Sequence, residues 1–318
     1  MKKVSIIIPF KGQAESDLAI VLASINNQIG IDFSEVDVHL VNDGGTAIDL
    51  SKFEILGNLD LHYHELPENV GAGLARQYGI DQSQSEYLMF MDSDDELHFA
   101  GALLEFFNVV KYQGNHEIII ASYIEEYKDE NGEFRYLTHD PYDWKSPVAK
   151  WFSRNYLERI GLRFHPALRI FEDTYFVGLA CQLAEDIFYL NSVVYTWLCN
   201  PNSTVRANGQ IFEHQTHIWA LENLLALQVI REKKAENLKT DLEHYVADVY
   251  MRYTKFPPVD EEAFWSQHRA LLQEFADVWT GYTAELQQRV DGLRDAAGGS
   301  WSGIDTQNFK EFVEKGNL

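Results

Sequence analysis

The stretch Glu86-Tyr-Leu-Met-Phe-Met-Asp-Ser-Asp-Asp-Glu96 decides the fold of this chain. Its apolar run, residues 87–91, is too short for a helix and has no polar face, so it predicts a buried strand. Acidic residues are poor strand formers, and Asp92, Asp94 and Asp95 follow this run directly. Open α/β sheets bind ligands in the crevice outside the carboxyl ends of their strands. The three carboxylates are therefore expected in such a crevice.

Asp92 and Asp94 stand two residues apart and can share one face. Close carboxylates raise each other's pKa, so a site that keeps both ionised usually holds a divalent cation. An oxygen-only site favours Mg²⁺ or Mn²⁺, with phosphate oxygens as further ligands. The alternative is a solvated loop whose acids cap the next helix, which is expected over residues 96–110.

Composition sets the class of protein. The 318 residues are 46% hydrophobic and 13% aromatic, which is typical of a globular chain with one large domain or two modest ones. The net charge of −23 argues against nucleic acid as a partner and against electrostatic docking on an anionic membrane. No apolar run reaches the roughly 18 residues of a transmembrane helix. Cys181 and Cys199 form neither a metal spacing nor a disulfide framework, so a cytoplasmic protein is expected, with a peripheral position at the inner face of the membrane as a variant.

Strands and helices alternate through the first part of the chain. The β-branched run at residues 4–8 predicts a strand, and Leu18, Val21, Leu22 and Ile25 follow at helical spacing. Further strands are expected at residues 36–41 and 59–66, before the one that ends at Asp92. Right-handed crossovers then give a mostly parallel sheet in an α/β fold.

Two turns follow these strands. Asp43 lies in the glycine-containing turn 42–46, where an acid either caps a helix or accepts a hydrogen bond from a sugar hydroxyl or a base edge. Residues 68–76 open a helix whose N-terminus could face an anion. Arg76 stands where a third glycine would complete a dinucleotide fingerprint, so a dinucleotide cofactor is rejected.

The rest of the chain predicts a strand at residues 117–123, a hairpin turning at 130–132, a short helix from 150 stopped at Gly161, and a strand at 189–198. Glu172 and Asp173 open an apolar helix, where acids ordinarily complement the helix dipole. Residues 211–318 carry helical spacings, with Pro257-Pro258 between two helices and a further helix expected over residues 278–293. The aromatic side chains of these helices are expected in the core of the domain. We therefore expect two domains, residues 1–210 and a small helical domain over 211–318.

Taken in order, these stretches resemble the family 2 glycosyltransferases of GT-A fold, which are inverting enzymes. The resemblance covers about 200 residues, and in outline the chain is similar to bacterial enzymes that glycosylate cell-surface polymers, including wall teichoic acid. The matching motifs are Ile6-Ile-Ile-Pro9, Val41-Asn-Asp-Gly-Gly45, Asn69-Val-Gly71 with Ala75-Arg76, Asp92-Ser-Asp-Asp95, residues 151–164, and Glu172-Asp173-Thr-Tyr-Phe176.

The resemblance implies a nucleotide-sugar donor, usually a UDP-sugar, and transfer of a hexose or N-acetylhexosamine to a glycan, polyol-phosphate or glycoprotein hydroxyl. It implies Asp173 as catalytic base with Glu172 beside it, and Mn²⁺ or Mg²⁺ on Asp94 and Asp92, with His214 as a candidate further ligand. The C-terminal helices could join copies of the chain. Residues matched to the nucleotide-sugar site are Pro9, Phe10, Asp43, Arg76, Asp92, Ser93 and Arg206.

Two rival functions stay open at this point. A sugar-nucleotide pyrophosphorylase also combines a Rossmann-like sheet with acidic metal ligands, but it normally begins with a glycine-rich loop, and Pro9-Phe-Lys-Gly12 has one glycine. A catalytically degenerate partner protein would keep the fold and is expected to lose Asp94 or Asp173. Both acids are present.

Overall fold

The computed structural model describes residues 1–200, 212–296 and 299–317. The chain divides into two compact units, residues 1–200 and 201–318. The first unit combines one sheet with helices, and the described part of the second unit is helical. The α/β fold class with a helical C-terminal part is therefore confirmed.

The first unit is built on a nine-stranded sheet in the order β3-β2-β1-β4-β8-β6-β9-β5, with β7 paired to β6. The pairs among β3, β2, β1 and β4 are parallel, as is β6 with β9, whereas β8, β7 and β5 pair antiparallel with their neighbours. The sheet is thus parallel over its first four strands and mixed beyond them. The strands are β1 (Val4–Phe10), β2 (Val36–Asn42), β3 (Leu61–Glu65), β4 (Tyr87–Phe90), β5 (Glu96–Leu97), β6 (Ile118–Lys128), β7 (Phe134–His139), β8 (Lys150–Ser153) and β9 (Ile187–Trp197).

Helices pack against this sheet because the central strands are buried along their whole length, so both faces need cover. Gly79 shows how close this packing is, since a Cβ added there would lie 2.5 Å from Cγ2 of Ile7. The helices of the first unit are α1 (Glu15–Asn26), α2 (Ala72–Gln82), α3 (Ala102–Gln113), α4 (Arg154–Ile160) and α5 (Glu172–Leu183).

Two predicted helices begin later in the structure than expected. Residues 96–110 do not form one helix, because Glu96 and Leu97 pair as β5 with Thr196 and Tyr195 of β9, and α3 begins only at Ala102. Residues 150–153 form β8, and α4 follows from Arg154. In both places a strand partner distant in sequence overrides the local helical pattern. The hairpin at 130–132 and the helix stop at Gly161, which is left-handed at φ 62°, are confirmed.

The described part of the second unit contains α6 (Thr216–Lys233), α7 (Leu238–Lys255), α8 (Glu261–Glu274), α9 (Ala284–Asp295) and α10 (Phe309–Gly316). Its aromatic side chains, among them Phe264 and Phe312, form a buried core as expected. The helix expected from residue 278 begins only at Ala284, where the hydroxyl of Thr283 accepts from the N–H of Leu286 at 3.1 Å. Among the described residues, no helix combines the length and the apolar character needed to cross a membrane.

Candidate active site

Asp43 lies just beyond the end of β2 and is buried. Its carboxylate accepts hydrogen bonds from the backbone N–H of Val70 at 2.7 Å and of Gly71 at 2.9 Å, and from Nδ2 of Asn69 at 2.6 Å. Gly71 is the residue before α2 and has φ 97°, a conformation that favours glycine. Asp43 therefore anchors the turn that opens α2, which is the helix-capping alternative of the sequence analysis. A role toward a nucleotide stays a prediction.

Arg76, on α2, joins two groups of acids. Its Nη2 donates to Oδ1 of Asp92 at 2.7 Å, and its Nη1 donates to Oε1 of Glu172 at 3.3 Å. The guanidinium is buried, and its Nε has no hydrogen-bond partner in the described ranges. Burial opposes the charge, but the nearby carboxylates outweigh it and raise the pKa of Arg76. A permanently charged arginine thus links the end of β4 to the start of α5.

The carboxylates that follow β4 have different surroundings. Asp95 is buried, and it accepts from the hydroxyl of Tyr195 at 2.6 Å and from the N–H of Leu198 at 2.8 Å. Burial, and then the neighbouring Asp92, raise the pKa of Asp95 well above its usual value. The same Tyr195 hydroxyl accepts from the N–H of Asp92 at 3.1 Å. Tyr195 therefore fixes the backbone that carries the cluster, and Asp95 is a structural member of it.

Of the three aspartates that follow β4, Asp92 and Asp94 have partly exposed side chains. Oδ1 of Asp92 faces Arg76, and Oδ2 of Asp94 accepts from Nδ2 of Asn200 at 2.6 Å. As metal ligands, both side chains offer carboxylate oxygens only, and Arg76 contacts Asp92. This donor set fits a hard divalent cation such as Mg²⁺ or Mn²⁺.

Glu172 and Asp173 occupy the first turn of α5. Phe171, just before them, is buried and left-handed at φ 60°, which costs a non-glycine residue about 1–2 kcal/mol and is a form of strain that clusters at functional sites. Gly73 of α2 lies so close that an added Cβ would be 2.6 Å from Cγ of Glu172. The start of α5 is therefore held tightly against α2.

The acids of α5 resist ionisation. Burial, and then the charge of Asp173, raise the pKa of Glu172 to about 8, although Arg76 opposes the shift. Burial also raises the pKa of Asp173, again against Arg76. A carboxylate with a raised pKa is a stronger base, so Asp173, which is partly exposed, has the chemistry of a proton acceptor.

The remaining site predictions divide by position. Pro9 and Phe10 end β1 and are buried, and the carbonyl of Phe10 accepts from the N–H of Asp43 at 2.8 Å. Ser93 is buried between the two aspartates. Arg206 lies outside the described residues, and His214 belongs to the second unit, where its Nδ1 contacts the carbonyl oxygen of Pro257. These assignments stay predictions.

Sequence reasoning missed Tyr195, Asn200 and Gly73. Tyr195 gave no signal, because a tyrosine in an apolar strand looks like core. Asn200 lies just past the last predicted strand, the same position that drew attention to Asp43 and Asp92, so the topology contained a hint. Gly73 was missed because its contact with Glu172 joins positions about a hundred residues apart in the sequence.

The known proteins that are similar to this chain include the following three. The poly(ribitol-phosphate) β-N-acetylglucosaminyltransferase TarP of Staphylococcus aureus strain N315 is 33% identical over 128 residues, which are 39% of this chain and 37% of that protein. S. aureus TarS 1–349 in complex with UDP-GlcNAc superposes with a TM-score of 0.68 at 16% identity, over 98% of this chain and 90% of that one. The mannosyltransferase PcManGT of Pyrobaculum calidifontis, in complex with GDP-Man and Mn²⁺, superposes with a TM-score of 0.53 at 16% identity, over 99% and 84%.

The structural likenesses, at such low identity, establish the fold. The match to TarP is closer in sequence, but the chain spans only 37% of the length of that relative. The family model of glycosyl transferase family 2 matches residues 5–178, which hold β1 to β8 and the acids of α5. Because this match covers more than half of the chain, the protein belongs to glycosyl transferase family 2.

Proposed function

We propose that this protein is a metal-dependent inverting glycosyltransferase. It moves a hexose or N-acetylhexosamine from a UDP-sugar to a hydroxyl of a cell-surface glycan, teichoic acid or glycoprotein. The observation that carries the proposal is the Arg76 bridge, in which Nη2 contacts Asp92 at 2.7 Å and Nη1 contacts Glu172 at 3.3 Å. It brings together the two acid groups that such a reaction needs, one for the donor phosphates and one for the acceptor proton.

The donor side rests on Asp92 and Asp94. Their oxygens would hold Mg²⁺ or Mn²⁺, which when bound offsets the charge that develops on a leaving diphosphate. The UDP-GlcNAc complex of TarS and the Mn²⁺ complex of PcManGT support a nucleotide-sugar donor and a divalent metal at this fold. The poly(ribitol-phosphate) named for TarP supports a polyol-phosphate acceptor.

The acceptor side rests on Asp173. Its carboxylate takes the proton of the acceptor hydroxyl while the oxygen attacks the anomeric carbon from the face opposite the phosphate. The bond from the anomeric carbon to the phosphate oxygen breaks with its electron pair on the nucleoside diphosphate, and the configuration inverts. Arg76 holds Glu172 next to the base, and burial around both acids keeps the basicity of Asp173 high.

Calorimetric titration with UDP and UDP-sugars, with Mn²⁺ and then with EDTA, combined with a transfer assay, tests the proposal. Asp173→Asn should bind the donor normally and lose transfer by about 100-fold or more. Asp94→Ala should lose the metal-dependent part of donor binding. Asp17→Asn is the matched control, because Asp17 also lies in the first turn of a helix, α1, and is exposed. Normal transfer by Asp173→Asn, or donor binding that is indifferent to EDTA, would refute the proposal.

A further inference from the structure

A second group of metal-binding side chains lies on strands β2 and β3. Asp37 and His39 are two residues apart on β2 and share a face, and His62 of the edge strand β3 is the register partner of His39. Each residue offers one ligand atom, and these three atoms lie within 4.8 Å of one another. The cluster shares no residue with the acids that follow β4.

Two atoms of this cluster are buried without a hydrogen-bond partner among the described residues. They are Oδ1 of Asp37 and Nε2 of His39, in side chains that are 9% and 4% exposed. They lie 3.7 Å apart, too far for a hydrogen bond. A buried polar atom without a hydrogen-bond partner costs about 1–3 kcal/mol. A cation between the two atoms would remove that cost.

The surroundings of His39 suit a metal ligand. Its Nδ1 lies 3.1 Å from Nε2 of His64, and the two rings are stacked. Histidines that bind metals commonly donate their other ring N–H to a neighbour, which fixes the tautomer and leaves the ligating nitrogen with its lone pair. In the tautomer of His39 that donates Nδ1–H to His64, the lone pair of Nε2 faces Asp37.

The spacing also suits a small tetrahedral ion. Two ligand atoms at about 2.0–2.1 Å from Zn²⁺ are about 3.4 Å apart in tetrahedral geometry. The 3.7 Å between Asp37 and His39 is within a few tenths of an ångström of this value. The ring of His62 is 46% exposed, so it can rotate toward the ion and leaves a path from solvent. Asp60, which lies 3.2 Å from Nε2 of His62, adds negative charge beside the site.

We propose that Asp37, His39 and His62 bind one divalent transition metal of the Zn²⁺ class, with water in the fourth position. Two imidazoles and one carboxylate favour such an ion over Mg²⁺. Because its ligands come from β2 and from the edge strand β3, the metal joins β3 to β2 and stabilises this edge of the sheet. It acts on stability and takes no part in the transfer reaction.

Binding of Co²⁺ tests this proposal, because tetrahedral Co²⁺ has a strong visible absorption that octahedral oxygen sites lack. Protein stripped with a chelator is titrated with Co²⁺, and bound Zn²⁺ is then counted by equilibrium dialysis. We compare His62→Ala, an exposed position that should fold normally, with His244→Ala, an exposed histidine of α7, and with Asp94→Ala.

The wild type, His244→Ala and Asp94→Ala should each bind one Co²⁺ with the tetrahedral spectrum, and Zn²⁺ should raise their melting temperatures. His62→Ala should bind at least tenfold more weakly, and Zn²⁺ should leave its melting temperature unchanged. Absence of the spectrum in the wild type would overturn the proposal. Equal binding by His62→Ala would do the same, as would loss of the spectrum in Asp94→Ala.

Discussion

Adding a methyl group at Gly73 tests how tightly α2 packs against Glu172, the neighbour of the proposed base Asp173. A Cβ at Gly73 would lie 2.6 Å from Cγ and 3.0 Å from Cβ of Glu172, and 3.1 Å from Cδ1 of Phe164. Carbon atoms in contact prefer about 3.5–4.0 Å, so all three approaches are too short. Gly73→Ala therefore forces Glu172, and with it the start of α5, to move.

The size of the effect follows from a matched helical glycine. Alanine in place of a helical glycine gains about 0.5–1 kcal/mol from backbone propensity. At Gly178 of α5 an added Cβ meets no described heavy atom within 4 Å, so Gly178→Ala should show that gain alone. Gly73→Ala carries the same gain plus an overpacking cost of about 1–3 kcal/mol. The two variants should therefore differ by about 1–3 kcal/mol in free energy of unfolding.

Urea unfolding of the wild type and both variants measures this difference, with equal m values required for the comparison. Transfer assays add a second reading, because a shift of about 1 Å at Asp173 costs about 100-fold in rate, while Gly178→Ala should turn over normally. If Gly73→Ala and Gly178→Ala have the same free energy of unfolding, the reasoning is refuted, because Glu172 can then move away from the added methyl group without destabilising the protein.

Two further predictions concern buried polar groups. Glu172 has a pKa of about 8 in the folded protein against 4.5 in the unfolded chain, so the wild type should lose unfolding free energy as the pH rises from about 4.5 to 8, by at most about 1.4 kcal/mol per pH unit. Glu172→Gln lacks this ionisation, so its unfolding free energy, measured with urea, should fall less over this pH range. The same pH dependence in both proteins would contradict the raised pKa of Glu172. Tyr195→Phe leaves the N–H of Asp92 and the carboxyl of Asp95 without their shared hydroxyl, so it should cost about 1–3 kcal/mol of unfolding free energy and weaken metal-dependent UDP binding in calorimetry. Tyr189→Phe changes the same strand as a control, and equal behaviour of both tyrosine variants would remove the role given to the Tyr195 hydroxyl.

The fold could be predicted where the pattern is local. The run at residues 4–8 and the helical spacing from Leu18 to Ile25 predicted β1 and α1, because burial on both faces of a strand and on one face of a helix leaves a direct mark on the sequence. β5 and β8 escaped prediction because their strand partners are distant. β5 has only two residues, which are too few to show a periodicity in the sequence.

The candidate site was predictable in position more than in contacts. Asp43 and Asp92 were expected at the ends of strands, and the structure has them there. Arg76 and Glu172 are 96 residues apart, and the sequence around either residue does not predict their contact. The same holds for His39 and His62, which become neighbours only through the register of β2 with β3.

The strand order has a consequence for how the chain is made. Asp95 and its partner Tyr195 are separated by 100 residues, and Asp94 is separated from Asn200 by 106. A ribosome adds about 5–20 residues per second, so roughly 5–20 s pass between the synthesis of the acids that follow β4 and the synthesis of β9. The parallel half of the sheet can form during this delay, whereas the carboxylate cluster cannot. Translation therefore delays the assembly of the proposed donor site, because the contacts of Asp95 with Tyr195 and of Asp94 with Asn200 form only after both partners have emerged.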